Sequence, residues 1–193
     1  MRDYIIRRAF HKTVLKAAHA DMHTIVVDEL GLKNGGVRAD IAVLNGKLVG
    51  YEIKTENDTL SRLPYQMEVY SEVFDKAFII VSDNHFENAL QLIPNWWGVY
   101  KIVAKANGNF TFSCYRQALV NKSQNTFTLA RLLWKSEAKE VATKCIETRL
   151  KSHISKNEIY ELISQNYSKK KMSKIVIQYL KQRNNWRQGH QAL

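Results

Sequence analysis

The sequence predicts an α/β fold: a mixed central sheet flanked by helices, with a basic helical extension at the C-terminal end. Three observations predict it. Short apolar, β-branched runs alternate with stretches of helical periodicity up to about residue 120. Two Asn-Gly pairs, Asn45-Gly46 and Asn107-Gly108, mark hairpins within that part. Beyond about residue 127 only helical patterns remain, and the charge changes with them. Residues 1–120 hold 14 Lys and Arg against 13 Asp and Glu, whereas residues 121–193 hold 15 against 5. The chain therefore divides into a balanced α/β domain, 1–120, and a basic helical subdomain, 127–193.

Each element has its own signal. Ile6, Phe10, Val14 and Ala17 repeat at helical spacing and predict a helix over 3–20. The run Thr24 to Val27 predicts a strand that ends in acids and Gly31. Residues 37–44 and 47–55 predict the arms of a hairpin around Asn45-Gly46. A helix follows over about 59–72, with Asp58 as its cap. Residues 76–83 are almost continuously apolar, the mark of a strand covered on both faces. Residues 85–93 read as a short helix, and 97–104 with 110–117 as a second hairpin. The later helices are 128–150, 155–165 and 169–183, and Ser155 and Glu158 have capping-box spacing at the second.

Composition narrows the function. The 193 residues are 45% apolar, enough to bury a core, and nothing suggests disorder. No apolar run follows the charged N-terminus, and none approaches the ~20 residues of a membrane helix, so a cytoplasmic location is expected. Cys114 and Cys145 form no paired metal motif. His19 and His23 have i, i+4 spacing but straddle a predicted helix end and lack a third ligand nearby, so a metal site is not expected of them. No phosphate-cradling glycine loop is present, which argues against a nucleotide cofactor. The net charge of +11 sits almost wholly in the last part of the chain and predicts a polyanionic partner, nucleic acid and DNA first.

The first hairpin decides whether a reactive site exists. Val37, Ala39, Ile41 and Val43 are the apolar set of one arm, and Val49, Tyr51 and Ile53 of the other. One shared apolar face requires opposed residue numbers to sum to an even value. A three-residue loop, Leu44-Asn45-Gly46, gives a sum of 90 and sets Asp40 opposite Gly50. Asp40, Glu52 and Lys54 then share the other face, with Gly50 leaving room over Asp40. Two carboxylates so close repel each other unless a cation lies between them. Oxygen ligands suit Mg²⁺ or Mn²⁺, to which the backbone carbonyl of Ile53 adds a further donor, and an ammonium beside them can orient a water. Metal, lysine and a phosphate together make phosphodiester hydrolysis.

These residues resemble the PD-(D/E)XK nuclease superfamily. Asp40 in "RADIAV" and Glu52-Ile53-Lys54 on the next strand match its motif, with Ala39 in place of the usual proline. Gln66-Met67-Glu68-Val69-Tyr70 resembles the Q-x-x-x-Y motif of the RecB-like branch. The strings "DELG", "ADIAV", "GYEIK", "DTLSRLP" and "WWG" are similar to those of a prokaryotic and phage-borne group within it. The resemblance implies a restriction-endonuclease-like core of helix, three strands, helix, strand. It implies metal binding by Asp40 and Glu52, water orientation by Lys54, Gln66 near the site, and Tyr70 packing or contacting phosphate. The family's extra acid often comes from the first helix; the candidate here, Glu29, ends a strand.

Outside the motif, Arg62 is placed to reach a phosphate, and Lys169, Lys170, Lys171 and Lys174 crowd one helix around the apolar stripe of Met172, Ile175, Val176 and Tyr179. Arg38 shares the face of Asp40. A non-catalytic nucleic-acid-binding protein and a protein-interaction module are the rival readings.

Overall fold

In the computed structural model, which describes residues 2–106, 108–145, 150 and 153–183, six strands form one mixed sheet ordered as they occur in the chain. They are β1 (Ile25–Leu32), β2 (Val37–Leu44), β3 (Leu48–Lys54), β4 (Lys76–Val81), β5 (Gly98–Ala104) and β6 (Phe110–Arg116). β3, β4 and β5 run parallel to one another, and the remaining pairings are antiparallel. The helices are α1 (Asp3–Lys12), α2 (Lys16–Ala20), α3 (Leu63–Val73), α4 (Phe86–Leu92), α5 (Thr126–Ala130), α6 (Lys135–Thr143), α7 (Lys156–Asn166) and α8 (Lys169–Gln182). No described helix is long and apolar enough to cross a membrane. Asn107 of the second hairpin, residues 146–149 of the expected helix 128–150, and residues 184–193 of the expected basic subdomain lie outside the described residues.

Both faces of the sheet are covered. On one, Ile6 and Phe10 of α1 pack with Ile41, Tyr51, Phe78 and Ile80. Two fully buried side chains of this kind contribute about 3–6 kcal/mol, so apolar packing, more than any ion pair, docks α1. On the other face, α3 lies over β3. Phe74 rests on Gly50, where a Cβ would come within 2.6 Å of its ring, which is why that position is glycine. The space over Gly50 is thus filled by Phe74 and is not left open for Asp40.

Two expected long helices are broken. The first stops at Thr13, whose hydroxyl donates to the Ala9 carbonyl, and resumes as α2. The helix expected over 128–150 divides into α5 and α6. The carbonyls of Leu132 and Leu133 accept instead from Arg183 Nη2 and the Tyr160 hydroxyl, both at 2.8 Å. α3 begins at Leu63, with Pro64 in its first turn, and Asp58 does not cap it. Asp58 Oδ2 closes its own loop by accepting from the Thr55 N–H and hydroxyl, each at 2.7 Å. The Ser155–Glu158 capping box forms as expected.

The basic helices share the core of the sheet. One continuous apolar cluster runs from Leu48, Phe74 and Trp97 to Leu129, Val141, Ile163, Val176 and Leu180. Asn121 pins the connection: its side-chain amide donates to the carbonyls of Ser71 and Phe74 at 2.7 and 2.8 Å.

Candidate functional site

The β2–β3 pairing has the even parity that the alternation demands, but its register sums to 92, because Leu44 pairs with Leu48 and the loop is Asn45-Gly46-Lys47. Gly46 takes the left-handed conformation, φ 65°. Extended by one residue beyond Ile41–Tyr51, this register places Asp40 directly opposite Glu52. There the ladder stops, and Asp40 Oδ2 accepts the Ile53 N–H at 2.7 Å in place of a backbone carbonyl. A side chain thus satisfies a buried backbone donor and opens the two strands.

β1 yields at the same level. Glu29 is left-handed, φ 57°, uncommon for a residue other than glycine. Val27 and Ala42 join the same apolar cluster as Leu30 and Ala39, so face alternation is interrupted across residues 28–30 and 40–41. That interruption turns Glu29 and Asp40 toward α1. One oxygen each of Asp3, Glu29 and Asp40 lie within 4.8 Å of one another. Asp3, in the first turn of α1, is a member of this cluster that the sequence alone did not single out. Asp3, Arg7 and His11 recur at i, i+4 and i+8 beside the apolar stripe of α1, and that polar row was the available signal.

Arg7 reaches into the three acids. Its Nη2 lies 2.6 Å from Asp3 Oδ2, 2.6 Å from Glu29 Oε1 and 3.6 Å from Asp40 Oδ1. Arg38 pairs with the other Glu29 oxygen at 3.2 Å. Asp3 Oδ1 and Arg7 Nε are buried without a hydrogen-bond partner among the described residues. Burial raises the Asp3 carboxyl above its ordinary value, against the pull of Arg7.

Glu52 and Lys54 are buried, 2% and 3% exposed, and form an ion pair at 2.7 Å. Gln66 Nε2 donates to the same Glu52 oxygen at 2.6 Å, and the Tyr70 hydroxyl donates to the other at 2.7 Å. The side-chain oxygen of Gln66 is buried and unpartnered among the described residues. Tyr70 is fully buried and packs on Phe74 and Trp97, with no surface open to a phosphate in this conformation. The apolar face of α3 carries it under the sheet surface, where burial and the Glu52 and Asp40 charges push its hydroxyl well above the ordinary value and keep it a donor. Ile53 presents its N–H to Asp40, and its carbonyl leaves the same edge of β3.

Burial, and after it the charge of Glu52, pushes the Asp40 carboxyl well above the usual carboxylate range; the Ile53 N–H and Arg7 oppose this. A raised value in the folded state means that folding favours the protonated form. The associated stability is present at low pH and is lost as pH rises from the ordinary carboxylate value through the folded one. Asp40→Asn is expected to abolish that decline and to raise Tm at pH 7 in EDTA by about 2–4 °C, the shift given by about 1 kcal/mol in a chain of this size. Thermal unfolding from pH 4 to 8 measures it, and an unaltered slope would show that Asp40 is not the group responsible.

The remaining candidates lie apart. Arg62 is exposed immediately before α3. Lys169, Lys170, Lys171 and Lys174 are exposed on α8. α8 is anchored where the strands begin: Lys169 Nζ donates to the Lys122 carbonyl at 3.0 Å, Ser173 meets Asp75 at 3.4 Å, and Lys181 Nζ donates to the His23 carbonyl. Asp75 in turn holds the Leu48 N–H at the start of β3. Glu52 lies four residues beyond Leu48 on the same strand, so roughly 13 Å of strand separates the anchor of the lysine helix from the acids. His19 does not pair with His23. Across the break after α1 its Nε2 meets His11 Nδ1 at 2.8 Å, and His11 Nε2 meets Asp28 Oδ1 at 2.9 Å.

The carboxylates of Asp3, Glu29 and Asp40 are a hard-oxygen donor set of the type that holds Mg²⁺ or Mn²⁺, and the unpartnered Asp3 oxygen fits that use. The chain matches the family described as Bacteriophage P4 protein cII over residues 5–192. It is similar to Protein cII of Enterobacteria phage P4, 27% identical over an alignment of 150 residues, with coverage of 72% of this chain and 56% of that protein. The chain therefore spans about half the length of the curated relative it matches. It is also similar to a solved structure, a protein of unknown function from Silicibacter pomeroyi, with 25% identity, a TM-score of 0.37, and coverage of 56% of this chain and 66% of the other.

Proposed function

The chain belongs to the Bacteriophage P4 protein cII family, and we propose that this member is a metal-dependent nuclease of restriction-endonuclease-like fold that hydrolyses phosphodiester bonds in DNA. One observation carries the reading. Asp40 and the Glu52–Lys54 pair converge where β2 and β3 separate, beside two further acids whose oxygens lie within 4.8 Å of the Asp40 carboxylate. Three carboxylates around one point repel one another, a cost that Arg7 and Arg38 offset in part, and such clusters recur at functional sites.

Within this reading Asp40, with Asp3 and Glu29, would hold Mg²⁺ or Mn²⁺, and Glu52 and the Ile53 carbonyl border the same opening. The metal supplies charge neutralisation at a phosphate and a more acidic bound water. Lys54 would orient the attacking water through its ammonium. Glu52 holds the ammonium in place, and Gln66 and Tyr70 fix Glu52 in turn. Arg62 and the exposed lysines of α8 serve the DNA backbone by charge alone, without sequence readout. A substrate that touched both the acids and the anchor of α8 would span roughly 13 Å, about four base pairs.

A second reading rests on a specific feature. Arg7 already sits among the acids, and both Glu52 oxygens already accept hydrogen bonds, as in a nucleic-acid-binding protein without catalysis. Supercoiled, linear and single-stranded DNA incubated with the protein in Mg²⁺, Mn²⁺ or EDTA separates the two, beside Asp40→Ala and Lys54→Ala. Cutting that needs metal and vanishes in both variants supports the nuclease. Salt-sensitive binding without cutting, unchanged in the variants, overturns it in favour of the second reading.

A further inference from the structure

We propose that Arg7 is an internal competitor for the cation: its guanidinium occupies the point between Asp3, Glu29 and Asp40 and has to leave before a divalent metal can load. The inference rests on the metal-dependent reading above and adds to it a residue that sets metal affinity.

The geometry is that of a place already taken. A divalent cation binds oxygens at roughly 2.0–2.6 Å, so ligand oxygens on opposite sides of it lie roughly 4–5 Å apart. The three carboxylate oxygens here lie within 4.8 Å of one another. Arg7 Nη2 is 2.6 Å from two of the acids and 3.6 Å from the third. Two cations cannot share that point, since each would meet the other unscreened in a buried setting. Lysine or arginine on the rim of a metal site is ordinary; a nitrogen at its centre is competition.

The grip of Arg7 is also incomplete. A guanidinium that locks a carboxylate does so with two parallel N–H donors. Arg7 contacts all three acids through the same Nη2, and its Nε is buried with no partner among the described residues. Leaving a buried donor unmade is costly, so the arrangement is one the side chain can abandon. Charge points the same way. Asp3, Glu29 and Asp40 bring three negative charges, and Arg7 with Arg38 returns two. A divalent ion replacing Arg7 would balance the cluster. The exit lies toward the N-terminal end of α1, where the Asp3 side chain is 42% exposed while that of Arg7 is 15% exposed.

Population arithmetic gives the expected size. If the state with Arg7 withdrawn holds about a tenth or less of the molecules, the apparent metal affinity is weakened about tenfold or more by that fraction. Mn²⁺ binding to the whole chain, followed by titration calorimetry or by the spin signal of free Mn²⁺, tests this in wild type, Arg7→Met, Arg7→Gln and Asp40→Asn. The expected result is that Arg7→Met binds Mn²⁺ at least about tenfold more tightly than wild type. It should also melt lower than wild type in EDTA and recover that loss in Mn²⁺. Arg7→Gln, neutral and close in size, is expected to do the same and stands in should Arg7→Met fail to fold. Wild-type binding that depends on Asp40 but is unchanged or weaker in both Arg7 variants overturns the competitor role and leaves the nuclease reading standing. Absence of Asp40-dependent Mn²⁺ binding in wild type and in both Arg7 variants overturns the two together.

Discussion

Glu52→Ala is expected to melt about 6–20 °C below the wild-type protein. Its carboxylate accepts from Lys54, Gln66 and Tyr70 at 2.6–2.7 Å in a site almost closed to water. Removing it strands a buried ammonium and leaves a buried phenol and amide without their acceptor. Breaking a buried pair from one side costs about 3–5 kcal/mol, and each kcal/mol moves Tm by about 2–4 °C in a chain of this length. Thermal unfolding followed by circular dichroism measures the loss. The effect concerns stability and is independent of catalysis; a drop of less than about 3 °C would mean that water or an anion reaches Lys54 more freely than its burial allows.

Lys54→Met is expected to separate chemistry from folding. Glu52 keeps Gln66 and Tyr70 as donors when the ammonium is removed, and the methionine fills much the same volume, so the melting temperature should fall less than in Glu52→Ala. The rate of metal-dependent DNA cleavage should fall by about 10²–10⁴, the usual range for loss of a group that positions or activates the attacking water. Cleavage rates at saturating Mg²⁺ beside melting curves decide it. Rates that fall only in proportion to the folded fraction would assign Lys54 a structural role.

The even parity of the first hairpin was legible because alternation of apolar residues ties a strand to one face. Parity alone does not choose between a sum of 90 and one of 92, however. Burial of Leu44 at the end of β2, rather than in the turn, selected the latter. Asp40 therefore opposes Glu52 directly, where the sequence reading made them diagonal neighbours. Asp3 was hidden by its own ordinariness, since an acid in the first turn of a helix already has a reason to be there. The role of Tyr70 could be narrowed only by burial: a residue on the stripe of α3 can face core or solvent edge, and the packing of Phe74 and Trp97 against its ring decides. The His11–His19 contact needed the break at Thr13, which periodicity gave no reason to expect.

The shared core of α3 with α5, α7 and α8 bears on how the basic end can be probed. Cutting the chain near residue 120 would strip Leu129, Val176 and Leu180 from the apolar cluster and release the carbonyls of Ser71 and Phe74 from Asn121. Such a fragment would report on its own collapse and not on what the lysines do. Exchanging Lys170, Lys171 and Lys174 for glutamate leaves every buried side chain in place, and so isolates electrostatics from architecture.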